Sequence, residues 1–136
     1  MATAGYSGTP LPKKLGIKQG TRLAAVHAPD GFDAALGELP AEVERSSRLA
    51  AEVDVVVAFY TSRKALAAEW PKLTEAAAPN GTIWVAWPKK ASKMPTDITE
   101  DVLRELLLPS GWVDNKVCAI DDTWSGLRFA LRRELR

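Results

Sequence analysis

Residues 54–60 read Asp-Val-Val-Val-Ala-Phe-Tyr, and this stretch decides the fold. From Val55 to Tyr60 every position is apolar or aromatic, with three β-branched valines in a row. A strand on a sheet surface would alternate apolar with polar residues. A strand apolar on both parities must be covered on both faces, which places it at the centre of a parallel sheet. The flanking sequence supports this. Thr61 or Ser62 is suited to cap a helix, because a side-chain oxygen there can accept from a free first-turn N–H. Leu66, Trp70, Leu73 and Ala77 then recur at helical spacing, and Pro71 inside the pattern predicts a kink or a restart. Pro79-Asn80-Gly81 reads as a turn, and residues 82–87 (TIWVAW) as a second buried strand.

Upstream, residues 1–11 are rich in Gly, Thr, Ser and Pro and read as an N-terminal arm, with the α/β domain over residues 12–136. Residues 12–15 can form one helical turn stopped by Gly16, and Lys18-Gln19-Gly20 is a turn. Residues 22–27 (RLAAVH) have strand length. Pro29-Asp30-Gly31 breaks that strand, a short helix follows over 32–39, and a weak strand over 43–49. Downstream, residues 88–96 form a loop with three lysines. Thr99 caps a helix with Glu100 and Asp101 in its first turn, where the helix dipole favours acids. Val102, Leu103, Leu106 and Leu107 form its apolar face, and Pro109 and Gly111 end it. Residues 116–120 and 127–132 are strands joined by a short turn, hence an antiparallel hairpin. Strands alternating with helices predict a single α/β unit, a Rossmann-like three-layer sandwich with a mostly parallel sheet and right-handed crossovers.

Composition narrows the function. The 136 residues carry 18 Lys+Arg against 17 Asp+Glu, a net charge of +1, which argues against nucleic acid as a partner. A single cysteine, Cys118, excludes an internal disulfide, and a single histidine, His27, excludes a multi-histidine metal site. No metal site is expected. The N-terminus has no apolar stretch of signal-peptide type, and no run reaches the roughly 18 residues of a membrane helix, so the expected location is the cytoplasm. Phosphate loops, nucleophile elbows and zinc spacings do not occur.

The outline resembles a compact class I methyltransferase fold. Leu15-Gly16-Ile17-Lys18-Gln19-Gly20-Thr21-Arg22 resembles the approach to its first strand, DVVVAFY its fourth, Pro79-Asn80-Gly81-Thr82-Ile83-Trp84-Val85 the start of its fifth, and Ser110-Gly111-Trp112 with the terminal hairpin its sixth and seventh. The third strand is missing. More closely, Gly5-Tyr6-Ser7-Gly8-Thr9-Pro10, Trp87-Pro88-Lys89-Lys90 and Asp122-Thr123-Trp124-Ser125-Gly126 resemble an uncharacterised bacterial domain-of-unknown-function family. The wider resemblance implies S-adenosylmethionine as cofactor, held by an acidic-x-Gly-x-Gly turn after the first strand and an acid ending the second. Here the turn is His27-Ala28-Pro29-Asp30-Gly31-Phe32, with one glycine, and only Glu44 could supply the acid. The leading expectation is therefore that no cofactor binds.

Ligands of open α/β sheets sit beyond the carboxyl ends of the parallel strands. Those ends carry the candidate ligand-binding residues: His27, Asp30 and Gly31; Lys89 and Lys90; and Asp121, Asp122, Trp124 and Ser125. The first group offers hydrogen bonds to an anion, or a helix cap at Asp30 with His27 filling a gap at the sheet edge. The lysines, with Lys93, form a positive lip for a carboxylate or phosphate, or a solvated loop paired with the acidic turn. The two aspartates offer an acid–base pair or cation ligands, or a turn held by Asp side chains with Trp124 on the core. Cys118 reads as inert core, as do Trp70, Trp84, Trp87 and Trp112. No catalytic residue is assigned. The expected function is a non-catalytic module for a small anionic ligand, or a regulatory one. The alternatives are a methyltransferase with an unusual cofactor loop, and a subunit that contacts a protein partner or its own copy.

Overall fold

The computed structural model describes residues 9–46, 48–49 and 52–136. The motif segment Gly5-Tyr6-Ser7-Gly8 and most of the expected arm lie outside them. Strands β1 (Arg22–Val26), β2 (Glu44–Ser46), β3 (Val53–Phe59), β4 (Ala77–Pro88), β5 (Trp112–Ala119) and β6 (Trp124–Leu131) form one six-stranded sheet. Its order is β2-β1-β3-β4-β6-β5. The contacts from β2 through β4 are parallel, and β6 lies antiparallel to both β4 and β5. Helices α1 (Leu11–Leu15), α2 (Phe32–Leu36), α3 (Arg63–Ala76) and α4 (Glu100–Leu107) complete the expected Rossmann-like α/β sandwich.

β3 holds the centre as its composition requires, paired in parallel with β1 on one side and β4 on the other. Val56, Val57 and Ala58 are fully buried. Val56 and Ala58 pack with Leu66, Trp70 and Leu73 of α3 and Leu103 and Leu107 of α4. Val55, Val57 and Phe59 pack on the other face with Leu15 of α1 and Phe32 and Leu36 of α2. Each fully buried valine or leucine among these contributes roughly 1.5–3 kcal/mol. Trp84 belongs to the second layer, and its Nε1 donates to the Leu15 carbonyl at 3.0 Å. That bond satisfies a carbonyl at the end of α1, where Gly16 closes the helix at φ 83°.

Local details refine the expectations. Of the kink or restart expected at Pro71, the restart does not occur, and α3 runs continuously through it. Pro71 removes the bond to the Ala67 carbonyl, but both residues are exposed, so water can satisfy that carbonyl. α2 stops at Leu36, because Gly37 turns away at φ 67°. β4 begins before the Pro79-Asn80-Gly81 turn, and its pairing to β3 slips between Val53–Ala77 and Val55–Thr82 to accommodate it. The caps hold as expected: Ser62 Oγ accepts from Ala65 N–H, and Thr99 Oγ1 from Val102 N–H, each at 3.2 Å. No helix among the described residues is long and apolar enough to cross a membrane.

Candidate functional site

The chain places β2 to one side of β1, then continues with β3 and β4 on the other. The order therefore reverses between β1 and β3, and the crevice beyond their carboxyl ends is where such sheets receive ligands. Loops from β3, β4 and the β5–β6 turn meet along this edge. Tyr60 N–H donates to the Ala86 carbonyl at 3.0 Å, and Lys89 N–H to the Thr123 carbonyl at 2.7 Å.

His27 leaves β1 in a left-handed conformation, φ 56°. For a side chain with a Cβ this costs about 1–2 kcal/mol. Strand alternation would send residue 27 toward α1 and α2, since Val26 packs on the α3 side. The backbone turn carries its ring to the α3 side instead. There it lies edge-on to Tyr60, with ring centroids 5.4 Å apart. Both rings reach one carboxylate oxygen of α3: Tyr60 Oη donates to Glu69 Oε1 at 2.7 Å, and His27 Nε2 lies 2.8 Å from the same atom. Hydrogen bonds from Tyr60 first, and from His27 second, hold the Glu69 carboxyl below its ordinary range. Burial pushes the Tyr60 phenol well above its ordinary range, and the bond to Glu69 adds to that. Glu69 is thus a carboxylate and Tyr60 a phenol at neutral pH. The His27 side chain is 53% exposed and that of Glu69 36%, so the cluster opens on solvent.

The other expected residues divide. Asp30 is exposed and without a partner among the described residues, and it does not cap α2. The cap position falls to Gly31, and no side chain fills that role. The reason is the tight turn in which Phe32 N–H donates to the Pro29 carbonyl at 3.0 Å, which leaves Asp30 one residue too early. Glu44 opens β2 opposite Arg22, at the amino end of the sheet, so it cannot serve as the acid ending that strand. Lys89 is half-buried, Lys90 and Lys93 are exposed, and none of the three ammonium groups has a partner among the described residues. Their loop is nonetheless well tied. Ser92 Oγ donates to the Lys89 carbonyl at 2.7 Å, and Thr96 Oγ1 to the Thr61 carbonyl at 2.6 Å. Asp97 Oδ1 accepts from Arg63 N–H at 2.7 Å, at the start of α3.

Asp121 is a turn residue. Its Oδ1 accepts from the N–H groups of Thr123 and Trp124, both at 2.8 Å. Asp122 is exposed, and its carboxylate has no partner among the described residues. Trp124 is buried edge-on against Phe59, centroids 5.1 Å apart. Ser125 sits half-buried on β6 opposite Trp87 and Ala119. No group of three His, Cys, Asp or Glu among the described residues could hold a metal ion. Cys118 is half-buried, and burial raises its thiol pKa. Away from this edge, a cavity of about 490 Å³ opens at the amino ends of the strands, lined in part by Lys18, Asp54, Asn80 and Arg128.

Sequence reasoning did not single out Glu69. On α3 it reads as one more solvent-facing acid, and its partners lie 42 and 9 residues away. The only available signal was its place immediately before the buried Trp70.

This strand order, with the expected gap for one strand, is that of the class I methyltransferase-like Rossmann fold. Solved structures agree. The chain is similar to a SAM-dependent methyltransferase from Aquifex aeolicus, at TM-score 0.58 and 16% identity over 86% of this chain and 85% of that one. It is similar to DhpI, solved as an SAH complex, at TM-score 0.59 and 13% identity over 91% and 83%. Fibrillarin from Aeropyrum pernix, solved with S-adenosyl-L-methionine, matches at 0.56 and 13% over 93% and 71%. At these identities the likeness is one of fold. No protein-family model matches the chain, and no curated protein does.

Proposed function

We propose that this chain is a methyltransferase-like domain that binds a small anionic ligand at the carboxyl edge of its sheet, without methyl-transfer chemistry. The carrying observation is the His27–Tyr60–Glu69 cluster at the strand-order reversal. The position after β1, where a cofactor loop needs glycine so that the backbone can approach its ligand, holds an imidazole tied to α3. Pro29 stiffens the rest of that turn, and no acid ends β2 among the described residues. Three ammonium groups without partners among those residues, on a loop tied to both the β5–β6 turn and α3, supply the charge for an anion. Residues 87–90 and 122–126, with the N-terminal 5–10, support membership of the uncharacterised bacterial family they resemble. We place the protein in the cytoplasm on its composition.

The second reading is S-adenosylmethionine binding, favoured by the bound SAM and SAH named for structures of the same fold. Thermal unfolding separates the two. A ligand at about 100 times its Kd adds roughly 2.7 kcal/mol of stability, which raises Tm by several degrees. The expected result is a shift with inorganic phosphate or a small dicarboxylate that Lys89→Ala abolishes without lowering the unliganded Tm. A shift with S-adenosylmethionine that survives Lys89→Ala promotes the second reading. If neither anion nor cofactor moves Tm, the small-ligand reading fails and a protein partner becomes the leading account.

A further inference from the structure

The His27–Glu69–Tyr60 cluster does more than fill a crevice. At neutral pH the Glu69 carboxylate has only acceptor capacity. Its Oε1 takes the Tyr60 O–H, and the nitrogen 2.8 Å away on His27 must bring the other proton. A neutral imidazole carries one proton, so Nε2–H toward Glu69 leaves Nδ1 with a free lone pair. Nδ1 has no partner among the described residues, on a ring more than half exposed. The ring is fixed from three directions: by the left-handed backbone at residue 27, by the Tyr60 edge contact and by the carboxylate. An isolated surface histidine would have none of these restraints.

We propose that His27 Nδ1 is a proton acceptor open to solvent at the carboxyl edge of the sheet, with Glu69 and Tyr60 as positioning residues. The matching ligand is a small molecule presenting an acidic O–H, S–H or N–H at the end of β1. The proton moves from that donor to Nδ1, the donor atom keeps the bonding pair as an anion, and the imidazolium is stabilised by Glu69. Tyr60 keeps Glu69 oriented and does not itself exchange a proton. This goes beyond the anion reading and does not depend on the lysine loop.

Because His27 is the only histidine, two measurements address it directly. Nitrogen-15 imidazole NMR of the unmodified protein, at mildly alkaline pH, is expected to show the Nε2–H tautomer. An Nδ1–H tautomer overturns the proposal with no variant needed. Diethyl pyrocarbonate then probes the free lone pair, read at the imidazole absorbance. Acylation of wild type is expected to run several-fold faster than in Glu69→Gln, with Tyr60→Phe intermediate and all three proteins showing the same circular dichroism. Equal rates in wild type and Glu69→Gln, or a histidine that resists acylation, would sink the idea. The anion reading is judged by the Tm shift and the proton acceptor by the tautomer and acylation rate of the unliganded protein, so the failure of one is distinguishable from the failure of the other.

Discussion

Two turns meet the same edge of the sheet and spend their polar groups in opposite ways. In the β5–β6 turn, Asp121 gives one oxygen to two backbone amides, and Trp124 is sealed against Phe59. Its most conspicuous residues are consumed by the fold. In the turn after β1, Asp30 caps nothing, and His27 reaches across to α3 with one ring nitrogen still unspent. Residue types that look equally reactive in sequence therefore differ in what remains for a ligand once the backbone has been satisfied.

That contrast can be broken by mutation. Trp124→Ala has the largest expected effect, a loss of about 3–5 kcal/mol by denaturant unfolding, as for other large aromatic truncations in a core. A loss below about 1 kcal/mol would show that the turn does not depend on the Phe59 contact. Asp121→Ala should cost about 2 kcal/mol, because two amides lose a charged acceptor. The cluster after β1 should respond mainly to pH. Glu69 has its folded pKa depressed, so its stabilising contribution is present at neutral pH. It is lost as pH falls below the ordinary value of 4.5 through the lower folded value. Chemical denaturation as a function of acid pH should show a shallower decline in Glu69→Gln than in wild type, and an identical decline would refute the pairing. Asp30→Ala should stay within about 0.5 kcal/mol of wild type, since it caps nothing. A larger loss would assign Asp30 a contact that the fold does not reveal.

The strand-forming runs were legible because burial on both faces leaves a composition that no surface strand shares. Residues 54–60 and 82–87 announced the central pair, and Ser62, Thr99, Gly16 and Gly111 marked the helix ends through local chemistry alone. Pro71 does not restart α3, because the Ala67 carbonyl it leaves without a donor is exposed to water, and exposure is not written in the local sequence. β5 is longer than its apolar run because Asn115 forms a bulge between Asp114 and Lys116 and its Oδ1 accepts from Arg128 Nε at 2.8 Å. A bulge with a lysine beside it on a sheet edge also discourages pairing with another chain.

The sequence by itself determined the order of elements, the central strand pair and the terminal hairpin. Those follow from hydrophobic periodicity and turn chemistry, which act within a few residues. Only the tertiary structure decided which polar groups stay available at the carboxyl edge of the sheet. His27, Tyr60 and Glu69 come from a strand end, a strand end and a helix interior, and no local rule links them. Their meeting depends on the parallel register of β1 with β3, on the way α3 lies across the sheet, and on a left-handed backbone at a residue that is not glycine.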